Sequence, residues 1–176
     1  MRVKGIKRMP FVGIIANEKD FEYINAQILR KCDKVKFEVI NINYRSIRNL
    51  INVKFDTIAI CSGIEEMKSN IYYLEEIIKK NSYLVLNSDI PMDKQIIGKT
   101  RANVITYGLN QKATVTVSSV NEDNVLICLQ RNFKDSNGNL IEEQEFNINI
   151  KAENTDKLCN TLAVFTILKL YGISLK

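Results

Sequence analysis

The sequence predicts an α/β protein: a mostly parallel, Rossmann-like (P-loop-type) sheet flanked by helices, with a three-stranded antiparallel meander and a buried C-terminal helix. Three observations support this prediction. In the first half, short apolar runs alternate with segments of helical periodicity. In the second half, strand-like segments are separated only by turn residues. The last segment, 156–171, is apolar nearly all round, as in a helix buried against a sheet.

Five strands are predicted in the first half. Continuous apolar runs with β-branched residues indicate strands that are covered on both faces, whereas segment 36–42 alternates between apolar and polar residues. The predicted strands lie at 11–16, 36–42, 55–61, 83–86 and 104–107. Because helical segments separate them, we expect parallel pairing with right-handed crossovers.

Three helices are predicted between these strands. Phe21, Ile24 and Ile28 recur at helical intervals and predict a helix over 20–31. Segment 46–52 predicts a short helix. Apolar residues at i, i+4, i+7 and i+11 predict a third, amphipathic helix; they are Met67, Ile71, Leu74 and Ile78.

The second half predicts a meander followed by a helix. Turn-forming residues at 121–123 (NED) and 136–139 (SNGN) separate three predicted strands. These strands are 113–120, 124–133 and 141–150. Gly172 is well placed to end the final helix. The organisation is therefore a basic arm, 1–10, and a single domain, 11–176.

Charge and hydropathy exclude several function classes. The net charge of +5 comes from 25 basic and 20 acidic residues. Four of the basic residues lie in the arm, so the domain itself is nearly neutral; they are Arg2, Lys4, Lys7 and Arg8. Nucleic-acid binding needs positive charge gathered on one face, so we do not expect it. No apolar run is long enough to span a bilayer.

Histidine and cysteine usage narrow the chemistry further. The chain has no histidine, which excludes Ser-His-Asp and Cys-His catalysis and His-ligated zinc. The four cysteines are dispersed without a CxxC pair; they are Cys32, Cys61, Cys128 and Cys159. Segment 9–16 has no signal-peptide cleavage site after it. We therefore expect reduced core thiols in a cytoplasmic protein, with no metal cluster.

Several segments resemble the central, ATP-binding domain of the Mur ligases. Segment 84–91 (LVLNSDIP) resembles the family's NADDP strand end, and 104–108 (VITYG) resembles its V-x-T-[FY]-G strand. Segment 160–164 (NTLAV) is similar to the N-A-L-A-A start of its last helix. Segment 11–20 (FVGIIANEKD) falls at the phosphate loop, and 55–60 (FDTIAI) is similar to another family strand. The resemblance covers residues 11–173, without the family's N- and C-terminal domains.

The resemblance implies ATP and Mg²⁺ as cofactors and suggests a role for six residues. Asn17 and Lys19 match the phosphate loop, and Asn87 and Asp89 lie where the family binds near the adenine. Glu38 and Asp20 stand where the family holds magnesium. The six implied site residues are Asn17, Lys19, Asn87, Asp89, Glu38 and Asp20.

Each implied role has a structural alternative. Asn17 could cap the following helix, with Lys19 a solvated first-turn residue. Glu38 could face water, and Asn87 and Asp89 could cap a turn before Pro91. The loop itself departs from the family, because Ile15 and Glu18 replace glycines and Asp20 replaces the metal-binding threonine. A β-branched residue resists φ > 0, and added carboxylates repel phosphate, so we expect weakened ATP binding.

Two functions follow from these observations. The first is a non-catalytic, Mur-ligase-like binding or regulatory module, which the resemblance would place in cell-envelope or spore-wall metabolism. The alternative is the ATP-binding subunit of a split, ATP-dependent amide ligase of Mur type. For both, the expected partner is a protein or a second copy, bound through the face that the missing domains cover in the family.

Overall fold

The structure is a computed structural model of the chain. It describes residues 8–32, 36–62, 70–91, 100–151 and 153–174. Two features of the sequence lie outside the described residues: the basic residues of the arm before Arg8, and Met67 of the predicted third helix.

Ten strands and three α-helices lie in the described residues, together with one 3₁₀ helix. The strands are β1 (Phe11–Ile15), β2 (Glu38–Asn41), β3 (Phe55–Ile60), β4 (Ile78–Asn87), β5 (Asn103–Tyr107), β6 (Val115–Val120), β7 (Val125–Leu129), β8 (Phe133–Lys134), β9 (Leu140–Ile141) and β10 (Gln144–Ile148). The helices are α1 (Glu18–Lys31), a 3₁₀ helix (Ile47–Leu50), α2 (Ile71–Ile77) and α3 (Thr155–Leu170).

Eight of these strands form one sheet, in the order β10-β7-β6-β5-β4-β3-β1-β2. Strands β1 to β5 pair in parallel, and β6 pairs in parallel with the end of β5 at Tyr107 and Val115. Strands β6, β7 and β10 pair antiparallel. The predicted α/β class, with a parallel sheet and an antiparallel meander, is therefore confirmed.

Two hydrophobic cores lie on opposite faces of the sheet. On one face, Ile24 and Ile28 of α1 and Phe165 of α3 are at most 2% exposed. On the other face, Ile47 of the 3₁₀ helix and Leu74 of α2 are equally buried. The parallel strands supply alternate residues to the two cores, so they are covered on both faces, as predicted.

The predicted carboxyl end of the third helix is wrong. Helix α2 ends at Ile77, and Ile78 is the first residue of β4, where it pairs with Phe55 of β3. Strand β4 therefore begins five residues before the predicted strand at 83–86. Pairing with β3 extends β4 backwards, a long-range contact that outweighs the local helical periodicity.

The predicted strand 124–133 is also wrong, because it is interrupted. Strand β7 ends at Leu129, and Phe133–Lys134 pairs with Leu140–Ile141 in a separate two-stranded sheet. Asp135 holds the turn between them by accepting hydrogen bonds from the backbone N–H groups of Asn137 and Asn139, both at 2.8 Å. The small hairpin thus interrupts the meander between β7 and β10.

Among the described residues, none of the helices combines the length and apolar character that crossing a bilayer requires.

Candidate functional site

A cleft of about 690 Å³ lies at the carboxyl edge of the parallel strands. Residues that follow β1, β3, β4 and β5 line it, together with the first turns of α1 and α3. Ligands bind in this position in open α/β sheets, because the loops after parallel strands gather at one edge. The cleft is therefore the candidate site.

Asn17 caps the helix that begins at the cleft. Its Oδ1 accepts the backbone N–H of Asp20 at 2.9 Å, and its own backbone N–H donates to Ser62 Oγ at 2.8 Å. Lys19 is exposed in the first turn of α1. The structure thus shows Asn17 in the capping role that was the alternative to phosphate binding.

Asp20 joins the two helices that border the cleft. Its Oδ2 accepts from Asn17 Nδ2 and its Oδ1 accepts from Asn160 Nδ2 of α3, both at 2.7 Å. Both carboxylate oxygens therefore have an amide donor. Because α1 and α3 pack side by side, this bond also sets the relative position of their N-terminal turns.

Asp89 ties the end of β4 to the loop after β5. Its carboxylate accepts the backbone N–H groups of Leu109 at 2.6 Å and Asn110 at 3.0 Å, and its own N–H donates to Asn87 Oδ1 at 3.0 Å. A Cβ at Gly108 would lie 2.8 Å from Asp89 Oδ2, so only glycine permits this approach. Asn87 and Asp89 therefore cap turns and also line the cleft.

Glu38 lies at the amino end of the parallel strands, whereas the cleft lies at their carboxyl end. It is the first residue of β2, exposed, and pairs with Phe11, the first residue of β1, whereas Asp20 follows the end of β1. The structure does not bring Glu38 and Asp20 together, because parallel strands place their first residues at the amino edge. Among the described residues, no group of three cysteine or acidic side chains could hold a metal ion.

Two cysteines, Cys61 and Cys159, line the cleft. The sequence predicted them only as core residues. Burial raises the pKa of Cys61 to about 12, and the charge of Asp20 adds to the rise. Burial raises the pKa of Cys159 to about 11, with further contributions from Asp89 and Asp156. Both are thus protonated thiols at neutral pH and weak nucleophiles. The position of Cys61 at the carboxyl end of a predicted apolar strand was the signal for its place in the cleft.

The charged groups of the cleft are mostly acidic. Four carboxylates and two ammonium groups line it: Asp20, Glu22, Asp89 and Asp156 against Lys19 and Lys157. Lys157 is already paired with Glu153, one helical turn earlier. Glu22, Asp156 and Lys157 were not predicted; each lies in the first turns of α1 or α3, and the convergence of those helices is a long-range feature.

Neither comparison with known proteins identifies the chain. No protein-family model matches it, and no curated protein has a significant sequence match to it.

Proposed function

We propose that this chain is a non-catalytic, Mur-ligase-like module that binds a ligand other than ATP in the cleft. In the Mur ligase central domain, which the sequence resembles, ATP would be held by its phosphates at the N-terminus of α1. The observation that carries the proposal is that Asn17 caps this N-terminus and that the carboxylate of Asp20 lies beside it.

A phosphate site at a helix N-terminus needs free backbone N–H groups, because these donors point at the anion. Here the N–H of Asp20 donates to Asn17 Oδ1 and the N–H of Asn17 donates to Ser62 Oγ. The carboxylate of Asp20 lies beside the same turn, where it would repel a phosphate. The cap and the carboxylate therefore disfavour a nucleoside triphosphate at this turn.

The second helix N-terminus at the cleft is capped in the same way. Asn154 Oδ1 accepts the backbone N–H of Lys157 at 2.9 Å, and Asp156 adds a carboxylate to the first turn, so α3 is also a poor anion site. At both helix ends that border the cleft, the chain itself thus takes up one backbone N–H and places a carboxylate in the first turn.

The same side chains argue against catalysis. Cys61 and Cys159 are protonated at neutral pH, and both oxygens of Asp20 and Asp89 accept hydrogen bonds. A thiol nucleophile needs a lowered pKa, which neither cysteine has, and the hydrogen bonds hold the two carboxylates in structural roles. Binding alone demands only shape and complementary polar groups, which this cleft has.

The test is calorimetric titration of the protein with ATP and Mg²⁺, with thermal unfolding as a second measurement. We expect no heat of binding and no rise in Tm at ATP concentrations up to a few millimolar. The variants Lys19→Ala and Lys134→Ala, an exposed lysine outside the cleft, are titrated in parallel. Micromolar binding that only Lys19→Ala abolishes would overturn the proposal and favour the split-ligase subunit.

A further inference from the structure

We infer that the ligand of the cleft is a small organic amine, a cation that also carries a neutral hydrogen-bond acceptor. This inference rests on the proposed function, since a cleft that holds ATP would select the opposite charge. Three observations carry it: the charge of the lining, a buried amide with an unused donor, and an apolar wall.

The charge of the lining favours a cation. The lining carries four carboxylates against two ammonium groups, and Glu153 pairs with Lys157 from outside the cleft. Each helix N-terminus contributes about half a positive charge, and the two together offset Glu153. A net charge of about −2 remains, which attracts a cation and repels an anion.

Two of these carboxylates are open to a ligand. Glu22 and Asp156 are exposed, and neither makes a hydrogen bond or an ion pair within the described part of the chain. The oxygens of Asp20 and Asp89 already accept hydrogen bonds from amide N–H groups. Glu22 and Asp156 are therefore the two carboxylates that an ammonium group would contact.

Asn87 points to a ligand independently of the charges. Its side chain lines the cleft and is only 6% exposed. Oδ1 accepts the N–H of Asp89, whereas Nδ2 has no acceptor among the residues that the structure describes. Nδ2 is not fully buried, so this donor is accessible and could bond to an acceptor on the ligand.

The remaining wall is apolar. Ile90 and Leu109 line the cleft, and Leu109 is 37% exposed although its side chain is large and hydrophobic. Covering this surface favours a ligand with an aliphatic or aromatic body. The volume of the cleft is within the range that holds a drug-sized molecule.

The experiment compares probes of one shape and different charge by two-dimensional amide NMR. Leucinol carries an ammonium, a hydroxyl and an isobutyl group. The corresponding diol replaces the amine by a hydroxyl, leucate is the hydroxy acid, and isoamylamine lacks the hydroxymethyl group. We expect leucinol to shift cleft resonances at the lowest concentration and leucate to shift them least. Isoamylamine should bind about fivefold more weakly than leucinol, because it lacks the hydroxyl group.

Two charge-removing variants test the position of the amine. Glu22→Gln and Asp156→Asn should each weaken leucinol binding about threefold, because each removes one attraction across a few ångströms of water. Glu145→Gln, an exposed residue of β10, is the matched control and should leave it unchanged. The diol should bind all four proteins equally.

Three results would overturn the inference: tighter binding of leucate than of leucinol, no shift with any probe, or equal affinity in Glu22→Gln, Asp156→Asn and the unaltered protein. Each would leave the proposed function standing, because that depends on the separate ATP titration. Micromolar ATP binding would overturn both.

Discussion

The parallel half of the sheet and the antiparallel half differ in what their loops can build. Strands β1 to β5 run in one direction, so the residues after β1, β3, β4 and β5 meet at one edge and enclose the cleft. Strands β6, β7 and β10 alternate in direction, and none of their residues lines the cleft. Parallel pairing therefore concentrates polar side chains where antiparallel pairing disperses them.

The two halves also differ in how they are stabilised. Central parallel strands bury both faces; all but one of the residues of β3 are buried. In the antiparallel half, the last three residues of β6 are exposed, and the inserted hairpin depends on hydrogen bonds to Asp135. Apolar burial should thus dominate the stability of the first half, and polar turns should matter more in the second.

The substitution with the largest expected effect on stability lies in the core of the parallel strands. Phe55→Ala should lower the free energy of unfolding by about 3–5 kcal/mol, because the ring is fully buried and leaves a cavity. Phe146→Ala on β10 should cost about half as much, since that ring is half-buried against Phe165. Urea unfolding measures both; equal losses would contradict the difference between the halves.

Asp135→Ala should have the next largest effect, about 2–3 kcal/mol, because the buried carboxylate accepts from Asn137 N, Asn139 N and Asn139 Nδ2. Urea unfolding at neutral pH measures this loss.

The contribution of Asp135 should also depend on pH. Burial acts to raise the pKa of Asp135, but the hydrogen bonds from Asn139 and Asn137 outweigh it and lower the pKa. The stabilisation is therefore full above the unfolded-state pKa of about 4 and is lost as the pH falls through the lower folded-state value. Unfolding of the protein and of Asp135→Asn should converge at low pH. A difference that stays constant with pH would be inconsistent with this account.

The smallest effect concerns the two helix caps at the cleft. Asn154→Ala should cost about 1 kcal/mol. Asn17→Ala should cost somewhat more, because Asn17 also donates to Asp20 Oδ2. Asn17→Ser keeps an acceptor for the helix N–H and should recover most of the loss. Thermal unfolding ranks the three variants; a stabilised Asn17→Ala would indicate that α1 is strained by its cap.

Local features of the sequence were enough to predict the fold class and several helices and strands. The strand at 55–61, the helix at 20–31 and the final helix all appear, because each depends on a pattern of neighbouring residues. The cap at Asn17 belongs to the same group, since the side chain bonds a backbone N–H three residues later. Predictions of this kind need no knowledge of distant contacts.

The composition of the cleft was decided by tertiary structure. Asp20 meets Asn160, 140 residues later in the chain, and Cys159 lies beside Asp89. Glu38 does not line the cleft, because strand register places it at the amino end of the parallel strands. Helix periodicity and turn residues act over a few positions, so they determine which elements form. Register and helix packing depend on residues far apart in the chain, and these alone determine which side chains share the cleft.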